Sequence, residues 1–201
     1  MASSIAEICN LALSNIRSDR FIESLDDSST EAIVCKVHYA NVRDQCLRRA
    51  DWPFARKRVA LVQTGTPPPE WAYSYAYPSD CIAVRGIADG QLTRTIDTRI
   101  PFAIENDGSG SNRVILMNEY GATMIYTMRA QDPVIYPPEF SEVLSWKLAA
   151  AICRPLDKSE IAVEVYREAE RMMGAAAAIS YNEQKAPPPA QSEHFTARTN
   201  G

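Results

Sequence analysis

The sequence lacks an excess of basic charge: 21 Lys and Arg face 25 Asp and Glu, a net charge of −4 over 201 residues. Proteins that live on a phosphate backbone carry such an excess, because Lys and Arg must displace condensed counterions. Tight non-specific nucleic-acid binding is therefore not expected, although a local basic patch stays open. Long apolar runs are lacking too. The uncharged stretches near 59–69 and 172–182 fall far short of the roughly 20 apolar residues of a membrane helix, so no membrane partner is expected. Residues 1–20 have neither the basic start nor the apolar stretch of a signal peptide, and Glu7 sits where that stretch would be. The expectation is synthesis and folding in a cytosol. No Cys-x-x-Cys pair occurs. Cys9, Cys35, Cys46, Cys81 and Cys153 are odd in number and widely spaced. They read as free thiols of a reducing compartment, used as small apolar core residues.

What is present describes a folded protein. Apolar residues make up 46% and charged residues 23%, near the globular norm. A chain of this length buries on the order of 70% of its extended surface. Ser4-Ile-Ala-Glu7 is a capping box opening a first helix over 4–17, with Ile5, Cys9, Ala12 and Ile16 on one face. Ser28-Ser29-Thr30-Glu31 reads as a second capping box. Cys35, Tyr39, Val42 and Cys46 then mark the inner face of a helix ending near Ala50, ahead of Trp52-Pro53.

From about residue 54 the apolar period changes to two. Trp71, Tyr73, Tyr75 and Tyr77 alternate with small residues, and Met124, Tyr126 and Met128 alternate likewise, as half-buried strands do. Shorter β-rich runs lie at 82–87, 92–96, 102–104 and 113–117, divided by Asp89-Gly90 and by Asn106-Asp107-Gly108-Ser109-Gly110. Helix returns at Pro138, a residue suited to the first helical position, with Phe140, Leu144, Leu148 and Ile152 as its stripe. A last helix opens at 157–160 and carries a narrow seam of Ala162, Val165, Ala169, Met172, Ala176 and Ile179.

The expected class is α+β. Helix pairs from 1–54 and 132–183 form one helical bundle, an antiparallel β lobe is inserted at 55–131, and 184–201 is an extended, flexible C-terminal arm.

No catalytic constellation emerges. Cys35-x-x-His38 places two metal-ligand types one turn apart, but a structural zinc site needs four, and the second histidine, His194, brings no matching pair. No metal and no cofactor are expected. The sequence has no Gly-x-Ser-x-Gly and no His-Glu-x-x-His, and Gly108-Ser-Gly110 lacks the ending of a phosphate loop. Two candidate surfaces remain. The cluster Arg48, Arg49, Arg56, Lys57 and Arg58 could rim a helix end, or touch an acidic neighbour or DNA. The aromatic run of Trp71, Tyr73 and Tyr75 suits packing or a subunit interface, with base stacking the lesser alternative.

Several residues in order carry a resemblance. They are Ile8-Cys9-Asn10-Leu11-Ala12-Leu13, then Tyr39, Arg43 and Leu47, then Trp52-Pro53-Phe54-Ala55. Trp71-x-Tyr73-x-Tyr75-x-Tyr77-Pro78-x-Asp80-Cys81 and a Pro-led helix followed by a long one complete the order. Over residues 4–182 the chain resembles the head-to-tail adaptor family of tailed bacteriophages, the tail tubular protein A or gatekeeper adaptors. That resemblance implies a structural virion protein without catalysis, assembled as a ring of twelve beneath the portal at the head-tail junction. It implies three partners: the portal protein, the next tail or nozzle protein, and neighbouring copies. Viral DNA passes through the ring without specific binding. It also implies that the C-terminal extension reaches along the portal, with Pro187, Pro188 and Pro189 limiting the entropy lost on docking and Phe195 as an anchor. Arg56, Lys57, Arg58, Trp71, Tyr73 and Tyr75 are then candidates for subunit or tail contacts. Two rival readings stay open: a small intracellular Cys/His enzyme, and a nucleic-acid-binding module built on the 48–58 basic cluster.

Overall fold

A computed structural model describes residues 4–88 and 100–182. The protein is α+β, and among the described residues it has four α-helices and two three-stranded antiparallel sheets. The chain divides into two compact units. One holds the chain up to Arg56 and again from Thr127; the other is Lys57–Tyr126.

The first unit contains all four helices: α1 (Ile5–Asn15), α2 (Thr30–Arg49), α3 (Pro138–Ile152) and α4 (Ala162–Asn182). The capping box at α1 forms as the sequence predicts. The Ser4 hydroxyl accepts from the Glu7 amide, and the Glu7 carboxylate accepts from the Ser4 amide. At α2 the cap is shifted by one residue. Ser29, not Ser28, is the N-cap, and its hydroxyl accepts from the Ala32 amide at 3.2 Å. Glu31 is then a second-position residue and is turned inward, its side chain only 12% exposed.

α3 is the hub of this unit, packing against α1, α2 and α4 while α1 and α2 touch each other little. Its stripe of Phe140, Leu144, Leu148 and Ile152 is fully buried, as are Val143 and Ala149. The inner face of α2 is also as expected: Cys35, Tyr39, Val42 and Cys46 are all buried. On α4 the expected seam drifts. Val165, Ala169, Met173, Ala176 and Ser180 are the buried positions, while Ile179 is 46% exposed. A helix of 3.6 residues per turn slips off a strict heptad by about 20° per repeat, so Met173 and Ser180 replace Met172 and Ile179 inside.

Beside α3 the rings of Trp52, Phe54 and Tyr136 close around Phe140, with centroids 5.0, 4.9 and 4.9 Å from it. All three pairs are edge-on, the arrangement that suits ring quadrupoles. The Trp-Pro-Phe step is thus a core anchor immediately after α2.

The second unit carries most of the strands. One sheet has the order β1 (Arg56–Ala60), β6 (Thr123–Met128), β3 (Cys81–Ala88); the other has β2 (Tyr73–Ala76), β5 (Arg113–Met117), β4 (Phe102–Asn106). In the second sheet Tyr73 pairs with Met117 and Ala76 with Val114, and Phe102 pairs with Met117 on the other side. The expected half-buried alternation fails in the central strands. Val114 to Met117 and Met124 to Thr127 are buried without a break, because a middle strand covered on both faces has no solvent side. On the edge strand β2, Ser74 is buried beside Tyr75.

The β4–β5 turn is organised by Asp107. Its carboxylate accepts from the amides of Ser109, Ser111 and Asn112 and from the Asn112 side chain. Gly110 supplies the left-handed backbone (φ 71°) that closes the turn. The run at 92–96 and the arm at 184–201 lie outside the described residues.

Candidate interaction surfaces

β1 carries Arg56, Lys57 and Arg58 along the edge of its sheet, where charge deters stray strand pairing. Two of these cations are held by carboxylates. The Arg56 guanidinium grips Asp51, with one contact at 3.3 Å. The Lys57 ammonium donates to Asp80 Oδ2 at 2.8 Å, and the Tyr126 hydroxyl donates to Asp80 Oδ1 at 2.8 Å. Burial alone would raise the Asp80 carboxyl, but the Lys57 and Tyr126 donors outweigh it and hold the group below the usual carboxylate range. Arg58 is exposed. The basic cluster read from the sequence is therefore divided by its ion pairs.

The aromatic run is likewise divided. Tyr75 is 1% exposed, and its hydroxyl donates to the Glu119 carbonyl at 2.7 Å. Of the two readings of the aromatic run, packing or a subunit interface, the ring of Tyr75 takes the packing one within this chain. Tyr73 is half-buried and its ring meets Tyr75 and Tyr120 at 6.2 and 5.6 Å. Trp71 is half-buried just before β2. The Arg113 guanidinium lies 4.1 Å from the Tyr77 ring centroid, a cation–π contact that ties this end of the strand to β5. Pro187, Pro188, Pro189 and Phe195 lie outside the described residues.

All five cysteines are buried. The hydrogen bond with the Cys9 thiol holds the Cys35 thiol below its ordinary value, against burial and Glu31, which raise it. His38 is half-buried on the boundary of α2. Among the described residues no three His, Cys, Asp or Glu side chains gather as a metal site, and no helix is long and apolar enough to cross a membrane.

A charged cleft of about 380 Å³ lies among α2, α3 and α4. Glu170 sits between Arg49, at 3.1 Å, and Lys147. The hydrogen bond from Lys147 does most to hold the Glu170 carboxyl below its usual value. Lys147 also lies 5.8 Å from the Tyr166 ring centroid. Beneath them, burial pushes the Cys46 thiol up to about 12, which leaves it protonated and unreactive at neutral pH. Sequence reasoning did not find this trio. Its members stand on three helices, so no spacing connects them.

Several large apolar residues stand exposed on the outer faces of the helices. Ile33 and Val37, one turn apart on α2, are 54% and 69% exposed. Val163 and Tyr166 on α4 are also open to solvent. A second groove, about 800 Å³, runs between the end of α1 and α4 over Trp146.

A scan of known protein families finds no match to this chain, and a search of curated proteins finds none either.

Proposed function

We propose that this chain is a structural protein of a tailed-phage virion, a head-to-tail adaptor assembling as a ring, of twelve copies, beneath the portal. The observation that carries this reading is the outer face of α2. Its inner side is fully packed, yet it presents Ile33 and Val37 to water. Branched aliphatic side chains exposed in adjacent turns give α2 an apolar strip that an assembly contact would cover. Helices from both ends of the chain fall in one unit, in keeping with the helical bundle and inserted β lobe that the resemblance implies. In this role the chain has no catalytic duty and no cofactor. It extends the DNA channel and docks the next tail protein. The arm at 184–201 reaches the portal through Pro187–Pro189 and Phe195.

The enzyme reading has less support, since the thiols are buried. The nucleic-acid reading has less too, since Arg56 and Lys57 are occupied by Asp51 and Asp80. The test is to mix the purified protein with a tailed-phage portal ring and image the product. A collar of adaptor copies under the portal is expected; absence of any bound density at tens of micromolar overturns the reading. Removal of residues 185–201 is expected to leave a folded protein with weak portal affinity. Without portal, light scattering is expected to report mostly monomer, because single heterologous contacts are too weak alone.

A further inference from the structure

We propose that the groove between α1 and α4 is the socket for the outer face of α2 from a second copy of this chain. This rests on the ring reading above and names the surfaces that build the ring. The socket is floored by Trp146 and rimmed by Val163, Glu160, Glu164, Arg17 and Arg167. Val163 is 62% exposed on that rim. At about 800 Å³ the socket has room for the Ile33 and Val37 side chains.

Charge selects the partner. Glu160 and Glu164 stand four apart, one row on the α4 side, and Arg17 and Arg167 supply two positive charges. Among the described residues none of these four enters an ion pair. A polyanion would meet the glutamates and a polycation the arginines, so the socket fits a surface carrying both signs. The face around Ile33 and Val37 is such a surface. Lys36 lies between them and pairs with Asp26 at 2.8 Å, and these side chains are 60% and 84% exposed. So open a pair is worth little in water and is readily exchanged. On docking, Lys36 turns to Glu164 and Asp26 to Arg167 or Arg17, so one internal pair is replaced by two across the contact. Knob and socket are different surfaces, so the contact is head-to-tail and can close into a ring.

The test uses the full chain and an introduced disulfide. The native thiols are buried, so brief oxidation by copper-phenanthroline and dissolved oxygen joins only added cysteines. Val37→Cys protein mixed with Val163→Cys protein is expected to give a cross-linked dimer. The double variant is expected to give a ladder of multimers, and each single variant alone to remain monomeric. A mixture of Val37→Cys with Tyr120→Cys, a residue of the other unit, is the background. Cross-linking no better than that background overturns the proposal, as does Val37→Cys joining to itself as fast as to Val163→Cys. Lys36→Glu in the first partner is expected to cut the dimer yield several-fold at low salt, and Glu164→Lys in the second to restore it. Failure of that rescue also counts against the pairing. Portal capture is scored separately. A ladder without portal binding overturns the adaptor reading and leaves the socket standing; portal binding without a ladder does the reverse.

Discussion

The indole N–H of Trp52 donates to the backbone carbonyl of Cys46 at 2.9 Å. This bond bridges the last turn of α2, just before the cap residue Ala50 turns extended. Trp52 is 1% exposed and packs edge-on against Phe140. The residue therefore stops one helix and anchors the next.

Replacing Trp52 separates those two duties. Trp52→Phe keeps a ring but loses the hydrogen bond to the Cys46 carbonyl, at a cost of about 0.5–1.5 kcal/mol. Trp52→Ala also opens a cavity and is expected to cost about 3–5 kcal/mol. Urea unfolding of the full chain measures both, with the midpoint falling further for Ala.

Asp80 gives the β unit a pH dependence of known sign. Its carboxyl is held below the usual range in the folded state. The stability it contributes is therefore full above the unfolded value of about 3.9 and is lost as pH falls through the lower folded value. Asp80→Asn is expected to lower the melting temperature by a few degrees near neutral pH. The gap between the two proteins should shrink steadily below about pH 4. Melting curves across that range check both statements.

Thiol reactivity separates a packed core from a nucleophile. All five cysteines are buried, and burial holds the Cys46 thiol near 12. Reaction with a chromogenic disulfide reagent in native buffer is expected to be slow at every thiol and to accelerate on adding urea. One fast-reacting cysteine would revive the enzyme reading.

The register of α4 is open to a paired substitution. Ala169 is fully buried where α4 packs, and Ile179 is half-exposed. Ala169→Leu overfills the contact and is expected to cost about 1–3 kcal/mol. Ile179→Ser is expected to change stability by less than about 0.5 kcal/mol. The heptad seam read from sequence predicts comparable damage from both, so the pair of unfolding curves separates the two registers.

Much of the helical architecture was legible because its signals are local. The stripe from Phe140 to Ile152 and the inner face from Cys35 to Cys46 follow from spacing alone, and the Ser4–Glu7 cap follows from two residues. Where neighbouring positions are chemically alike, spacing loses a residue. Ser28 and Ser29 cap equally well in sequence, and Met172 and Met173 fill a seam equally well. The strands were harder. Whether β5 is a central strand depends on β2 arriving from about forty residues earlier, opposite its hairpin partner β4, so burial on both faces leaves no local mark. The candidate surfaces were the least legible. The Glu170 cleft and the Trp146 groove each gather residues from three helices. For Trp71, Tyr73 and Tyr75 both packing and a subunit interface stayed open, because alternation shows which residues share a face, not which face meets water.

The central place of α3 also bears on the protein while it is being made. α1 and α2 leave the ribosome early but touch each other little, and the helix that covers both begins only at Pro138. A nascent chain halted before that point holds two amphipathic helices with no shared core. It should be cut readily by protease and be a client for chaperones, until translation delivers the third helix and the first two gain protection together.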